Sequence, residues 1–406
     1  MTAVAPAARA GPRRLDGVDG LRALAALWVV LFHIRAFSGA DLGPLDLVVR
    51  SGSTGVSLFL VLSGFCLYLP VARGGAGSFS ARRFLRRRAV RLLPAYYASL
   101  AVVLLVTALA ARPLGLTPVR GPEIAVQALA HVTLTHSLFP STFYALNGAY
   151  WSLGLEWELY LGLPLLVAGV RRYGLARTIA AAVAVNIAYR LGLQLASDLR
   201  ALTPGATLGT VVLPNVLPGR WAEFAFGMLA AELHVSGRIA RWADRAGWAM
   251  LGIVALTLAS LAAVGSPLEH LLFGADFLVL LCVVLAGSNW LARVISWRPL
   301  AAIGVMSYSL YLVHQPIVEA LDHLLLRAGA APLTAFLAVV LLLPAIAAVA
   351  WVLFVTVERR TLRSPGGAPA EPGSPEALLL APLRACVRHR VGRRRPASDG
   401  VPVRAG

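Results

Sequence analysis

The sequence contains no lysine, and all 37 basic residues among its 406 are arginine. Without lysine the chain cannot form a P-loop, a Schiff base or a lysine general base. Cysteine is scarce as well, and Cys66, Cys282 and Cys386 have neither the spacing of a zinc site nor that of a disulfide framework. Charged residues make up only 14% of the chain, against about 25% in soluble domains. We therefore expect no metal site, and few side chains remain that could carry chemistry.

Long apolar runs take the place of charge, since 58% of the residues are hydrophobic. A helix needs about 20 apolar residues to cross a hydrocarbon core of about 30 Å. Windows of this length are centred on 19–37, 52–71, 92–111, 150–170, 175–195, 217–234, 246–265, 269–288, 301–322 and 332–357. They predict an all-α fold, a polytopic membrane helical bundle of about ten transmembrane helices. The 124–139 stretch is also apolar, but His131 and His136 favour an interfacial or re-entrant helix there.

The arginines are concentrated in alternate loops, which predicts the orientation because short Arg-rich loops remain in the cytoplasm. Most lie near the N-terminus, between spans two and three, after spans four, six and eight, and from residue 359 onward, so both termini are predicted to be cytoplasmic. We divide the chain into a cytoplasmic segment 1–14, a membrane domain 15–360 and a disordered Arg/Pro/Gly-rich cytoplasmic tail 361–406. The net charge of +18 then indicates topology and contact with anionic membrane lipids; no nucleic acid is expected as a partner.

The first span carries two ionisable residues, Arg22 near its cytoplasmic end and His33 further in. Eleven helical positions turn by about 1100° and rise about 16 Å, so both side chains project from one face at different depths. Ionisable residues within a span are functional candidates because they are costly to bury. The alternative is that Arg22 only anchors the topology and His33 makes a polar contact between helices.

The third span opens with the arginine-rich segment ARRFLRRRAVRLLPAYY. Most of these arginines are explained by topology alone. Arg88 and Arg91 are three positions apart on the predicted helix, so both guanidinium groups lie on one side, as a pyrophosphate or phosphate group requires.

Two other spans contain polar residues within apolar sequence. The fourth span has Glu156 and Glu158, whose side chains point about 200° apart and cannot face the same site. The ninth span contains Ser307, Tyr308, Tyr311 and His314, at least some of which must line an interior rather than face lipid.

Six segments, in order, resemble the bacterial integral-membrane acyltransferase-3 family: RRLDGVDGLRALAALWVVLFH, TGVSLFLVLSGFCLY, RRRAVRLLPAYY, YWSLGLEWELY, RWAEFAFGML and IGVMSYSLYLVH. The resemblance covers about residues 13–357. The family pattern of an Arg, ten residues and a His falls on Arg22 and His33, and its Arg-x-x-Arg falls on Arg88 and Arg91. Its Trp-Ser-Leu followed by Glu falls on Trp151, Ser152, Leu153 and Glu156.

The resemblance implies a multi-pass O-acyltransferase of the bacterial inner membrane, with acyl-CoA as co-substrate and no permanently bound cofactor. It would move an acyl group, such as acetyl, from cytoplasmic acyl-CoA to a hydroxyl of a glycan, glycolipid or secondary metabolite. His33 would be the general base, with Glu156 orienting it or binding the acceptor, and Arg22, Arg88 and Arg91 would hold the donor phosphates. Trp151, Ser152, Tyr308 and His314 are further candidate substrate-binding residues. A transporter or flippase of the acceptor and a non-catalytic scaffold remain the alternatives.

Helix depth predicts how these residues meet. His33 and His314 each lie about 20 Å along spans that enter from the inside, and Glu156 lies about 10 Å along a span that enters from the outside. In a core of about 30 Å all three reach one level. We therefore expect a single polar cavity that contains His33 and Glu156, has His314 on its wall, and opens to a channel lined by Arg22, Arg88 and Arg91.

Overall fold

The structure is a computed structural model that describes residues 15–110, 113–114, 122–198, 208–240, 246–287, 289–362 and 375–381. Every regular element within these ranges is helical, so the all-α prediction is confirmed. The predicted cytoplasmic segment 1–14, Cys386 and most of the predicted tail lie outside the described residues.

The first half of the chain contains the helices α1 (Asp16–Ser38), α2 (Asp46–Arg50), α3 (Gly55–Gly74), α4 (Ala81–Ala110), α5 (Pro122–Val132), α6 (Trp151–Tyr173) and α7 (Leu175–Asp198). The second half contains α8 (Leu217–Val235), α9 (Ala246–Ala262), α10 (Glu269–Ala286), α11 (Trp290–Ile295), α12 (Arg298–Val305), α13 (Ser307–Arg327), α14 (Pro332–Leu341), α15 (Leu343–Leu353) and α16 (Arg359–Leu362). Each of the ten predicted windows contains helix.

Within the described ranges, six helices are long and apolar enough to cross a membrane: α1, α3, α4, α6, α7 and α10. The pairs α12–α13 and α14–α15 raise the number to eight if each bent pair is one span. The prediction of about ten is higher because it also counted α8 and α9. Helix α8 carries Arg220, Glu223 and Glu232, and α9 has only 17 residues, fewer than the about 20 that a span needs.

The two bent pairs break within apolar sequence that reads as continuous. Helices α12 and α13 meet at 73°, and α14 and the helical stretch after it meet at 47°. In the second pair Pro344 lies just after the break at Leu342, and proline has no N–H to continue the hydrogen bonds of α14.

Close helix packing depends on two glycines in segments that carry the family resemblance. Gly64 of α3 and Gly227 of α8 face each other, and a Cβ added to either would lie 2.0 Å from a backbone oxygen of the opposite helix. Any larger residue would force α3 and α8 apart, as expected where small residues let membrane helices approach.

A buried ion pair ties α3, α8 and α10 together beside this contact. The Arg220 guanidinium donates to both carboxylate oxygens of Glu223, at 2.6 and 3.0 Å, and both residues are almost fully buried. Arg220 also donates to Ser57 Oγ at 3.0 Å and to Asn215 Oδ1 at 2.8 Å. Because these bonds satisfy charges that lipid could not solvate, the network fixes α8 against α3.

Part of the predicted tail is ordered. Residues 375–381 form a helix, which we call the tail helix, although 361–406 was predicted to be disordered throughout. Leu380 is buried, and Trp351 Nε1 donates to the Leu379 carbonyl at 2.7 Å. EALLLA has enough apolar residues to pack on α15, whereas the composition around it favours disorder.

Candidate active site

Five long helices, α1, α3, α4, α6 and α13, contribute to the lining of a cavity of about 440 Å³. This volume is in the range of about 300–1,000 Å³ that is typical of small-molecule sites. Its lining includes Arg22, Arg73, Arg88 and Arg91. Three carboxylates, those of Asp19, Glu156 and Glu376, line the cavity as well. Guanidinium groups gathered in one cavity are suited to binding an anionic ligand.

Arg88 and Arg91 reach the cavity from α4, where their spacing places both on one side of the helix. Arg86 and Arg87, between Phe84 and this pair, are exposed. The Nε of Arg88 is buried and has no hydrogen-bond partner among the described residues. A buried guanidinium nitrogen without a partner is unusual in a folded protein.

Arg22 enters the cavity from α1. Its Nε donates to Ser307 Oγ at 3.3 Å, and its guanidinium carbon lies 6.0 Å from the ring centroid of Phe59. Arg22 therefore contacts α3 and α13 from within the bundle, which a residue that only anchors the topology at the surface would not do.

Glu156 of α6 lines the same cavity as the arginines. One carboxylate oxygen accepts hydrogen bonds from Ser63 Oγ, at 3.3 Å, and from the hydroxyl of Tyr160, one helical turn further along α6. These donors hold the carboxylate toward the cavity. Glu158 points elsewhere, as predicted, and accepts hydrogen bonds from the Leu217 N–H at 2.9 Å and from Ser137 Oγ, so its contacts fix the start of α8.

His33 does not share this cavity. Neither His33 nor His314 belongs to its lining. Instead the two imidazoles contact each other, with Nε2 of His314 3.2 Å from Nδ1 of His33. The prediction that His33 and Glu156 lie in one cavity is therefore wrong, although His33 and His314 do meet at one depth. Sequence gives depth and helix face, whereas the end of the cavity is set by side chains from other helices.

Tyr311 contacts both the cavity and His314. Its hydroxyl lies 2.7 Å from Ser152 Oγ, and both residues line the cavity. Its ring centroid is 5.4 Å from that of His314 and 5.8 Å from that of Phe59. The Tyr311 ring thus contacts the buried His314 on one side and the cavity on the other.

Of the remaining predicted residues, some line the cavity and others lie outside it. Tyr308 lines the cavity and its hydroxyl donates to the Leu92 carbonyl at 3.1 Å. Trp151 lies outside the cavity lining and stacks on Phe143, with ring centroids 5.5 Å apart. The structure therefore brings together Arg22, Arg88, Arg91, Ser152, Glu156 and Tyr308, and it separates Trp151, His33 and His314 from them.

The segment before α6 is held by two stacked histidines. The rings of His131 and His136 lie 4.3 Å apart, and His136 Nε2 donates to the Tyr150 carbonyl at 2.8 Å, immediately before α6 begins. Burial, followed by the charge of His131, lowers the pKa of His136 to about 4. His136 is thus neutral at ordinary pH, and its hydrogen bond positions the end of α6 that carries Ser152 and Glu156.

Sequence reasoning missed several residues of the cavity, among them Arg73. Ser63 and Tyr160 hold Glu156, and Tyr311, noted only as polar, forms the wall. Glu376 of the tail helix also lines the cavity and lies 3.6 Å from Arg359. A carboxylate among cavity arginines could not have been foreseen, because its position depends on how the tail folds back onto the bundle.

Comparison with known proteins adds an independent finding. A family model described as an acyltransferase domain matches residues 15–355. The chain is 28% identical over 344 residues to YrhL of Bacillus subtilis (strain 168), named as a candidate peptidoglycan O-acetyltransferase, and the match covers 75% of this chain and 49% of YrhL.

Two further relatives match with similar identity and similar coverage of both chains. The chain is 25% identical over 343 residues to the O-acetyltransferase OatA of Staphylococcus aureus (strain NCTC 8325 / PS 47), covering 76% of this chain and 51% of OatA. It is 26% identical over 325 residues to the peptidoglycan O-acetyltransferase OatA of Listeria monocytogenes, covering 75% and 49%. The chain thus spans about half the length of the curated relatives it matches. No solved structure matches it.

Proposed function

Because the chain belongs to the acyltransferase-3 family, we propose that it moves a short acyl group from cytoplasmic acyl-CoA to a hydroxyl group of a glycan, glycolipid or secondary metabolite. Membership of this family makes it a membrane acyltransferase; the donor, the acceptor and the residue roles are the proposal. The observation that carries it is the arginine-lined cavity, which ends one aromatic side chain away from a pair of histidines.

The donor end is assigned to the arginines. Arg22, Arg88 and Arg91 would hold the phosphates of coenzyme A, since guanidinium groups bind phosphate through paired, charge-assisted hydrogen bonds. The presence of all three side chains in the lining of one cavity supports this assignment. By the distribution of arginines along the chain, this end of the cavity opens to the cytoplasm.

The reacting end is assigned to His33. A hydroxyl is a weak nucleophile at neutral pH, and an imidazole within hydrogen-bond reach can remove its proton as the oxygen attacks the thioester carbonyl. The carbon–sulfur bond then breaks and the coenzyme A sulfur takes the proton. His33 lies outside the cavity lining and contacts His314, whose ring contacts Tyr311. The acyl group would therefore pass the Tyr311–Ser152 wall, while the acceptor would approach from the His33 side.

Glu156 remains a candidate for direct contact with substrate. It has no hydrogen bond to His33, and its described partners are Ser63 and Tyr160. A role for Glu156 in orienting His33 is therefore less favoured than contact with the donor arm or the acceptor within the cavity. A carboxylate there can accept a hydrogen bond from an amide of the pantetheine arm or from an acceptor hydroxyl.

The names of the relatives favour acetyl as the acyl group and a peptidoglycan-type glycan as the acceptor. The test is purified protein in nanodiscs, supplied with acetyl-CoA and with muropeptides. We expect acceptor-dependent release of free coenzyme A thiol and a mass gain of one acetyl group on the acceptor. A transporter or flippase of the acceptor would release no thiol.

The role of His33 is tested in the same assay. His33→Ala should lower turnover by about 10²–10⁴-fold, the usual contribution of a positioned base. His234→Ala removes an imidazole from α8, away from the histidine pair, and serves as the control. Parental turnover in His33→Ala would overturn the assignment of the base.

A further inference from the structure

The contact between His33 of α1 and His314 of α13 restricts where their hydrogens lie. Nδ1 of His33 is 3.0 Å from the Val29 carbonyl oxygen as well as 3.2 Å from Nε2 of His314. Nδ1 of His314 is 2.8 Å from the Tyr311 carbonyl oxygen. His314 is completely buried, and His33 is partly buried. Each ring therefore faces one backbone carbonyl, and the two rings face each other.

The carbonyls determine the tautomers. A carbonyl oxygen only accepts hydrogen bonds, so Nδ1 carries the hydrogen in both rings. A neutral imidazole has one such hydrogen, which leaves a lone pair on Nε2 of His314. That lone pair points at the Nδ1–H of His33, whose hydrogen is shared between His314 and the Val29 carbonyl. It follows that Nε2 of His33 holds a lone pair, and this atom has no hydrogen-bond partner among the described residues.

A charged His314 does not fit the same contacts. Its Nε2–H would donate to His33 Nδ1, which would then have to present a lone pair to the Val29 carbonyl at 3.0 Å. The described contacts of the pair are aromatic, with Phe32, Phe37 and Tyr311, and include no carboxylate. Burying a cation without an opposite charge is costly, so the neutral form is the one that the geometry supports.

We propose that His314 is a positioning residue, which holds His33 in the tautomer whose Nε2 acts as the base. This inference rests on the proposed function. As the acceptor oxygen bonds to the thioester carbon, its proton moves to Nε2 of His33. The imidazolium formed then donates from Nδ1 to Val29 and to His314 until it returns the proton to the coenzyme A sulfur. His314 thus takes the place that a carboxylate has behind the histidine of a hydrolase triad, but without its charge.

The assignment replaces the substrate-binding role that the sequence suggested for His314. A fully buried side chain outside the cavity cannot touch substrate in this structure. It can, however, act on the reaction through the residue that it contacts.

Two variants separate positioning from packing. His314→Leu removes the hydrogen-bond acceptor of the His33 Nδ1–H group. His314→Gln places an amide oxygen where it can accept that hydrogen bond. We expect turnover to fall about 10–100-fold in the Leu variant, the usual loss for a partner that orients a reacting group, and to recover in part in the Gln variant. The Michaelis constant for acetyl-CoA should stay unchanged in both, because the arginines hold the donor.

The pH–rate profile gives a readout that packing alone would not move. A hydrogen-bond acceptor at Nδ1 stabilises the imidazolium form of His33 and so raises its pKa. Loss of this acceptor in His314→Leu should therefore shift the rising limb of the pH–rate profile to lower pH. The Gln variant should return the limb toward the parental position. If the limb stays in place in both variants, or if both lose turnover equally, His314 only packs and the inference is overturned.

Nitrogen-15 spectra of the histidine rings test the tautomer without any activity measurement and without a variant of His314. In the parent, His33 should show a protonated Nδ1 and an unprotonated Nε2, assigned through the signals lost in His33→Gln. A hydrogen on Nε2 of His33 would overturn the inference. Parental turnover in His33→Ala would instead overturn the proposed function, so the two failures are distinguishable.

Discussion

The hydroxyl groups of Ser152 and Tyr311 lie 2.7 Å apart and join α6 to α13 at the end of the cavity. The backbone carbonyl of the same tyrosine accepts a hydrogen bond from His314. Tyr311 is therefore part of the cavity wall and part of the support of the histidine pair. In the proposed function, this ring would limit how far an acyl group can extend from the donor end toward His33.

Replacing Tyr311 should change the choice of acyl group. Tyr311→Ala removes the ring and leaves a void, as truncation of a buried aromatic does. We expect the variant to accept longer acyl groups better relative to acetyl. The measurement is competition between acetyl-CoA and hexanoyl-CoA at equal concentrations, with the two products separated by mass.

Tyr311→Phe is the matched control, because it keeps the ring and loses only the hydroxyl. Its product ratio should remain close to that of the parent. An unchanged ratio in folded Tyr311→Ala protein would mean that the wall does not limit the acyl group.

Removing one cavity arginine should weaken binding of the acyl-CoA donor rather than lower turnover. A hydrogen bond between charged groups contributes about 1.5–3 kcal/mol, so Arg88→Ala and Arg91→Ala should each raise the Michaelis constant for acetyl-CoA by roughly 10–150-fold. Turnover at saturation should change little. Steady-state kinetics over a range of acetyl-CoA concentrations measure both values.

Arg87→Ala provides the comparison, since Arg87 is an exposed neighbour on the same helix and does not line the cavity. It should leave the donor Michaelis constant unchanged. Equal effects of Arg87→Ala and Arg88→Ala would indicate general attraction by the basic surface instead of a phosphate site.

The sequence predicted the helices well because hydropathy acts locally. The bends at Met306 and Leu342 were not predicted, since each lies inside a window whose hydropathy is that of one continuous span. The grouping of Arg22, Arg88 and Arg91 was predicted from helical spacing and the family motifs. The absence of His33 from the cavity that contains Glu156 was not predicted, because the lining is completed by side chains from other helices, such as Tyr311 of α13.

The negative charge of Glu376, in the tail helix, should weaken binding of the acyl-CoA donor. Its carboxylate lines the cavity together with the arginines, so it would repel the phosphates of a bound donor and compete with them for the guanidinium groups. Partly exposed charges interact by about 1 kcal/mol or less, so Glu376→Gln should lower the Michaelis constant for acetyl-CoA by up to about fivefold.

Glu376→Asp keeps the charge and should resemble the parent. Because surface electrostatics are screened by salt, the difference between Glu376→Gln and the parent should shrink as ionic strength rises. A Michaelis constant that is the same in all three proteins at low salt would contradict this role.

The stacked pair His131 and His136 should make stability depend on pH. Burial lowers the pKa of His136 from 6.5 to about 4, whereas the unfolded chain binds a proton near 6.5. The contribution to stability is therefore complete above pH 6.5 and is lost as pH falls from 6.5 to about 4, by up to about 3 kcal/mol. The groups around the ring are His131, Tyr96 and Tyr150, so no carboxylate in these contacts offsets the loss.

His136→Gln can still donate to the Tyr150 carbonyl and does not titrate, so its thermal midpoint in detergent should fall less than that of the parent between pH 7 and pH 5. Equal falls in the two proteins would show that other groups control acid stability.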